Sequence, residues 1–184
     1  DVGALGLEAD LSGRQIANID SADVGPAVWH PLHVRAMEAL ADEECDGLIV
    51  THGTDTLEET AFLLDLTLPA NKPVVVVGAM RPADAVGYDG LRNFANAVRV
   101  ASDAQAAGRG VLAVMGDRIF AARDVYKVRT RGTEAFRGFP RESVGMVTPA
   151  SLEWFGAPWR SDTPARCGLP KDLPEVAILY VYAG

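Results

Sequence analysis

Thr54 and Asp55 set a hydroxyl and a carboxylate side by side in the run Thr51-His52-Gly53-Thr54-Asp55. Ahead of them, Asp46 and Gly47 form a turn signal, and the apolar run Leu48, Ile49 and Val50 predicts a short strand over 47–51, covered on both faces. Behind them, Thr56 followed three residues later by Glu59 has the pattern of a capping box. Leu57, Ala61 and Leu64 fall on one face of a helix predicted over 56–66. The pair therefore stands at a strand-to-helix junction, where open α/β sheets bind ligands and where backbone N–H groups favour a carboxylate or an oxyanion. A threonine hydroxyl attacks a carbonyl only when a neighbour takes its proton. From this stretch alone, helix capping accounts for Asp55 or Thr56 as well as chemistry does.

Other chemistries find little support. Cys45 and Cys167 lie far apart without Cys-x-x-Cys spacing and read as free, packed thiols. His30 and His33 flank Pro31 with no further ligands nearby, so no metal site is expected. The sequence has no Gly-x-Ser-x-Gly elbow, no phosphate-binding Gly-x4-Gly-Lys-Ser/Thr loop and no complete Gly-x-Gly-x-x-Gly fingerprint. A net charge of −8 opposes nucleic-acid binding, which needs a basic face. No apolar run is long enough to span a bilayer, so a soluble protein is expected, with the cytoplasm favoured over the periplasm or secretion.

The elements that must position the pair alternate in type. A helix is predicted over 32–44, then the strand 47–51, the helix 56–66, a Val-rich buried strand over 73–77, a glycine-containing loop over 78–90, a helix over 91–102 and a strand over 110–115. This order predicts an α/β domain with an open, largely parallel (mixed) sheet flanked by helices. Beyond Gly116 the pattern shifts to an extended or hairpin segment over 117–128 and an irregular stretch rich in Gly, Arg and Thr over 130–141. Pro158, Pro164, Pro170 and Pro174 mark a linker. The β-rich run of Val176, Ile178, Leu179, Tyr180 and Val181 then reads as the opening strand of a second, smaller α/β domain. The expected division is a catalytic domain over 1–150, a proline-rich linker over 151–174 and the start of a C-terminal domain over 175–184.

Taken in order, the segment 46–61, the loop Gly78-Ala79-Met80-Arg81-Pro82, Asp89-Gly90 with Asn93 and Asn96-Ala97-Val98, the stretch Gly108-Arg109-Gly110-Val111-Leu112, and Ala122-Arg123-Asp124-Val125-Tyr126-Lys127 resemble the bacterial L-asparaginase and glutaminase-asparaginase family. The resemblance is collinear over 15–184. It implies an asparaginase-like N-terminal domain and an amidohydrolase that converts L-asparagine to L-aspartate and ammonia, with possible side activity on L-glutamine. It also implies a catalytic group of Thr54, Asp55 and Lys127, no cofactor, an amino-acid substrate, and a homo-oligomer built as a dimer of dimers. Ser21, in Asn18-Ile19-Asp20-Ser21-Ala22-Asp23, matches the serine that holds the substrate carboxylate. Asp55 would hold the α-amino group, and Ala79 would offer backbone contacts near the amide. Asp20 is placed at the substrate as well.

The chemistry of the implied group is coherent. A lysine takes a hydroxyl proton only while neutral, and burial favours that form, whereas a close aspartate favours the ammonium. Thr54, Lys127 and Asp55 would thus titrate as a coupled network. On residue type alone, Lys127 reads as an exposed strand residue. The sequence departs from the family at three places. Nothing in residues 1–11 matches the family's Thr-Gly-Gly-Thr-Ile segment, whose first threonine is the primary nucleophile; the C-terminal domain is represented only by 175–184; and Ala22 and Asp20 stand where relatives carry glutamine and glycine. Two alternatives follow from those departures and the shared framework: a catalytically silent amino-acid-binding or assembly fragment, and the amidase-like subunit of a transamidation complex.

Overall fold

A computed structural model of the chain describes residues 9–159, 167–179 and 181. In chain order, a 3-10 turn Ser21–Asp23 leads to helix α1 (Pro26–Ala41), strand β1 (Leu48–Thr51), helix α2 (Leu57–Thr67), strand β2 (Val74–Val77), helix α3 (Gly90–Ala101), a second 3-10 turn Ala104–Ala106 and strand β3 (Val111–Met115). Five short strands follow: β4 (Arg118–Ala121), β5 (Val125–Lys127), β6 (Phe136–Gly138), β7 (Gly145–Val147) and β8 (Leu152–Trp154).

Six strands form one mixed sheet in the order β1-β2-β3-β4-β7-β8, and β5 pairs with β6 in a separate ribbon. Parallel pairing of β1 with β2 and of β2 with β3 sets Leu48 opposite Val74 and Val74 opposite Val111. These strands can run parallel because α2 and α3 carry the chain back between them. The direction reverses after β3, where Gly116 and Asp117 alone connect it to antiparallel β4. Gly116 holds φ +62, a conformation that costs a glycine little. The fold is thus the α/β architecture expected from the sequence, with parallel pairing confined to β1–β3 and antiparallel pairing beyond.

Strand alternation divides the core into two layers. Val74 and Val76 pack with Leu32, Ala36 and Leu40 of α1 and Leu57, Ala61 and Leu64 of α2, whereas Val75 and Val77 pack with Ala97 and Val100 of α3. Leu57, Ala61 and Leu64 recur at helical spacing and are fully buried, which fixes the face that α2 turns to the sheet and hence where its N-terminal residues emerge.

Several expectations need correction. Helix α1 begins six residues before the predicted 32, because Pro26 occupies the first turn, where a missing N–H costs nothing, and the helix carries Pro31 inside it. It stops at Ala41, where Asp42 turns extended and its carboxylate accepts the Glu44 N–H at 3.0 Å. Strand β1 lies at the sheet edge among the described residues; Leu48 and Val50 meet the α1–α2 layer and Ile49 the α3 layer, so both faces are covered, but only in part, with Leu48 and Ile49 half-buried and Thr51 exposed. The segment over 117–128 is not one hairpin, since β4 joins the main sheet and β5 the ribbon. Strand β8 falls within the stretch read as linker and pairs with β7. Residues 173–179 form no strand, and Ile178 and Leu179 are 76% and 84% exposed. A strand needs a neighbour for its N–H and C=O groups, and none pairs with this segment among the described residues. The rest of the predicted 175–182 run, at 180 and 182, lies outside the described residues.

Candidate active site

The loop after β1 carries Thr54 and Asp55 to the foot of α2. Gly53 lets the preceding turn close on this point, since a side-chain carbon there would come within 2.6 Å of Ser21 Oγ. The Ser21 loop is held in return: Ser21 Oγ accepts the Asp55 N–H at 3.2 Å, and Ser21 O accepts the Thr56 hydroxyl at 2.5 Å. The capping box read from Thr56 and Glu59 is therefore not formed. Thr56 does precede the helix, but its hydroxyl is spent on Ser21 and makes no capping bond.

Asp55 does not cap the helix either. Lys127 Nζ, 72 residues further along the chain, lies 2.5 Å from Asp55 Oδ1 and donates to Thr54 Oγ1 at 2.8 Å. The Lys127 side chain is 15% exposed and that of Asp55 58%. The ammonium is thus largely withdrawn from water, and its carboxylate partner faces out.

Lys127 reaches this point because the ribbon is fastened to α2. Arg123, just before β5, donates to Asp65 Oδ2 of α2 at 3.0 Å, and Asp65 Oδ1 also accepts the Val111 N–H at 3.0 Å. Asp124 accepts from Arg141 Nε at 2.6 Å beyond β6. The Arg123-Asp124 pair thus anchors the ribbon that presents Lys127. Glu58, in the first turn of α2, accepts the backbone N–H of Lys127. Burial holds the Glu58 carboxyl above its usual range, and Glu59 adds to the rise; the hydrogen bond from Lys127 and its charge oppose it.

The loop after β2 closes the other side. Asp89 Oδ1 accepts from Arg81 N at 3.0 Å and its Oδ2 from Met80 N at 3.1 Å, while buried Asn93 donates to Gly78 O at 2.9 Å and accepts from Gly116 N at 3.1 Å. These bonds hold the 78–81 loop, and with it Ala79, in one conformation. Ala79, Gly78, Gly53, His52, Tyr88 and Phe94 help line a cavity of about 470 Å³, ample for an amino acid. Behind it, Trp29 Nε1 donates to Thr60 Oγ1 at 2.9 Å, and Thr60 Oγ1 lies 2.9 Å from His52 Nε2. His52 Nδ1 lies 2.7 Å from Gly53 O and completes that row.

The structure thus brings together Thr54, Asp55 and Lys127, with Ser21 bonded to the Asp55 backbone and Ala79 on the adjoining cavity wall. Asp20 stands apart from the group: its exposed carboxylate accepts the Ala22 N–H at 2.9 Å and caps the short 3-10 turn. Glu58, Asp65 and Asp89 were passed over as site residues in the sequence. Acidic residues near helix starts read first as capping or solvated charge, and no spacing links them to partners tens of residues away. Among the described residues, no group of three or more His, Cys, Asp or Glu is placed to hold a metal ion, and His33 Nε2 sits 3.2 Å from Thr67 O. No helix among them is long and apolar enough to cross a membrane.

A hydroxyl, an ammonium and a carboxylate thus converge beyond the end of a parallel strand of an open α/β sheet, the class of fold whose ligand sites lie at strand termini. Comparison with known proteins narrows the class. The family model described as asparaginase, N-terminal, matches residues 2–160; the chain belongs to the asparaginase family. It is 41% identical to L-asparaginase 2 of Escherichia coli strain K12 over 179 residues, which cover 95% of this chain and 51% of that protein. It is 40% identical to the glutaminase-asparaginase of Pseudomonas fluorescens biotype A over 177 residues, 95% of this chain and 49% of that protein. The crystal structure of a probable cytoplasmic L-asparaginase from Campylobacter jejuni superposes with a TM-score of 0.81 at 35% identity, covering 91% of this chain and 52% of that one. The chain spans about half the length of the curated relatives it matches.

Proposed function

We propose that the full-length protein carrying this chain hydrolyses the side-chain amide of L-asparagine to L-aspartate and ammonia, with weaker action on L-glutamine. The observation that carries the reading is the position of Lys127 Nζ, 2.8 Å from Thr54 Oγ1 and 2.5 Å from Asp55 Oδ1. Hydrolysis of an amide needs a nucleophilic oxygen, a route for its proton and donors for the oxyanion. In this reading a threonine hydroxyl attacks the amide carbon, and Thr54, Lys127 and Asp55 relay protons between the attacking oxygen and the departing ammonia. Thr54 takes the part of the supporting hydroxyl, and once ammonia has left, water cleaves the acyl ester to release aspartate. Lys127 Nζ touches both the Thr54 hydroxyl and the Asp55 carboxylate, so a proton can pass among the three along existing hydrogen bonds.

The exposed Asp55 carboxylate suits a substrate α-ammonium group, Ser21 its carboxylate, and the backbone at Ala79 the amide. In this reading Asp20 and Ala22, the sequence neighbours of Ser21, bear on the balance between asparagine and glutamine. The division into a catalytic domain over 1–150, a proline-rich linker over 151–174 and only the start of a C-terminal domain over 175–184 belongs to the same reading, as does assembly into a dimer of dimers. Ammonia release from L-asparagine, measured for the full-length protein and its Thr54→Ala variant, tests it. A fall in kcat of at least about 10²-fold is expected, and equal rates would remove Thr54 from the chemistry.

A further inference from the structure

The ribbon that presents Lys127 is not part of the main sheet, and its grip on α2 decides where the ammonium lies. Strand β5 has only three residues, with Lys127 at its end. The Val128 N–H donates to Ala135 O at 2.8 Å toward the partner side of the ribbon, so by backbone alternation the Lys127 N–H points away from β6. That outward N–H is taken by the carboxylate of Glu58. Glu58 and Asp65 are seven residues apart on α2, two turns along one face, and each holds the ribbon: Asp65 through Arg123 and Glu58 through the Lys127 backbone. Asp65 fixes the end remote from the chemistry. Glu58 fixes the residue whose side chain performs it.

We propose that Glu58 is a positioning residue of this site, its carboxylate clamping the Lys127 backbone to the first turn of α2 so that the ammonium stays on Thr54 and Asp55. A half-buried carboxylate with Asp55 and Glu59 as near neighbours in sequence would be better solvated pointing outward, and the directed N–H bond keeps it turned in. The clamp acts on the main chain, and therefore on the origin of the whole Lys127 side chain. The catalytic consequence rests on the reading that the Lys127–Thr54 contact takes part in turnover.

The test compares Glu58→Ala, Glu58→Gln and Lys127→Met in the full-length protein, following ammonia release, thermal unfolding and amide hydrogen exchange at residue 127. Glu58→Ala is expected to lower kcat about tenfold or more, with KM within about twofold, because small misplacement of a catalytic group is costly. Glu58→Gln keeps a side-chain oxygen to accept the N–H and should restore kcat to within about threefold of the parent. The Lys127 amide should exchange at least about tenfold faster in Glu58→Ala and near the parent rate in Glu58→Gln. Parent-like kcat and exchange in Glu58→Ala would overturn the clamp, as would equal losses in both Glu58 variants or a loss of kcat matched by a general fall in Tm. Should Lys127→Met remain fully active, the catalytic reading of Lys127 fails. The exchange rate then still decides whether Glu58 holds the strand.

Discussion

Two cations are held in this molecule by opposite means. Lys127 lies against a hydroxyl and a carboxylate at the open end of the parallel strands. Arg109, which precedes β3, is 2% exposed and stacks on Trp154 of β8 at 4.2 Å and on Trp159 at 5.9 Å. Its guanidinium donates to the carbonyls of Gln105 and Gly156 at 2.7 and 2.9 Å, and one of its nitrogens, Nη1, has no hydrogen-bond partner among the described residues. Burial lowers its pKa, with Asp103 opposing, yet guanidinium stays charged at any relevant pH. Arg109 meets indole faces and carbonyls, which neither give nor take a proton; Lys127 meets two groups that can. Charge alone does not make a site. The neighbours and the route to solvent do.

That contrast can be broken at either cation. Lys127→Met should lower kcat for asparagine hydrolysis by at least about 10²-fold while Tm moves little, since one neighbour, Asp55, is already exposed; unchanged turnover would make the two cations alike. Next comes the anchor behind Lys127. Asp65→Ala strands Arg123 and the Val111 N–H and should cost about 3 kcal/mol of stability by denaturant unfolding. An Arg109→Met change should cost about 1–2 kcal/mol through lost stacking and hydrogen bonds, with kcat and KM at parent values. A shift in kcat there would tie the aromatic clasp to the chemistry.

The smallest effect is expected from Glu58→Gln on stability. The Glu58 carboxyl, with Glu59 on the same helix and Lys127 of β5 as its charged neighbours, has a folded pKa above the unfolded one. Below the ordinary glutamate range both states hold the proton and the group contributes nothing to pH dependence. As pH rises, the unfolded chain releases the proton first, so stability falls until the folded carboxyl has ionised too. Glu58→Gln should therefore gain slightly in Tm over the parent at neutral pH, and the gain should vanish on acidification. A gain that grows toward low pH would reverse the sign.

Much of the frame was legible in the sequence, because Val74–Val77 and Val111–Met115 are uninterrupted apolar runs separated by helical periodicity. The edge position of β1 was not, since an apolar run of that length reads the same in the middle of a sheet. The start of α1 was not either: the helix was expected from 32 and begins at Pro26, with Pro31 inside it. At the site, Thr54 and Asp55 announced themselves by their place between strand and helix. Lys127 was reached only through resemblance, as nothing local ties a lysine to a hydroxyl 73 residues away. Glu58 and Asp65 had no signal of their own: their roles exist only once the ribbon folds across α2.

Gly78 bears on the choice of threonine over serine at position 54. A side-chain carbon on Gly78 would approach the Thr54 methyl to 3.1 Å, and His52 O and Leu57 stand equally near. The bare glycine thus leaves room for the methyl, and because methyl and hydroxyl share one carbon, the rotamer that seats the methyl there is the one that turns the hydroxyl to Lys127. Serine would keep the oxygen but swivel freely, so the extra carbon works as a rudder for the reactive group.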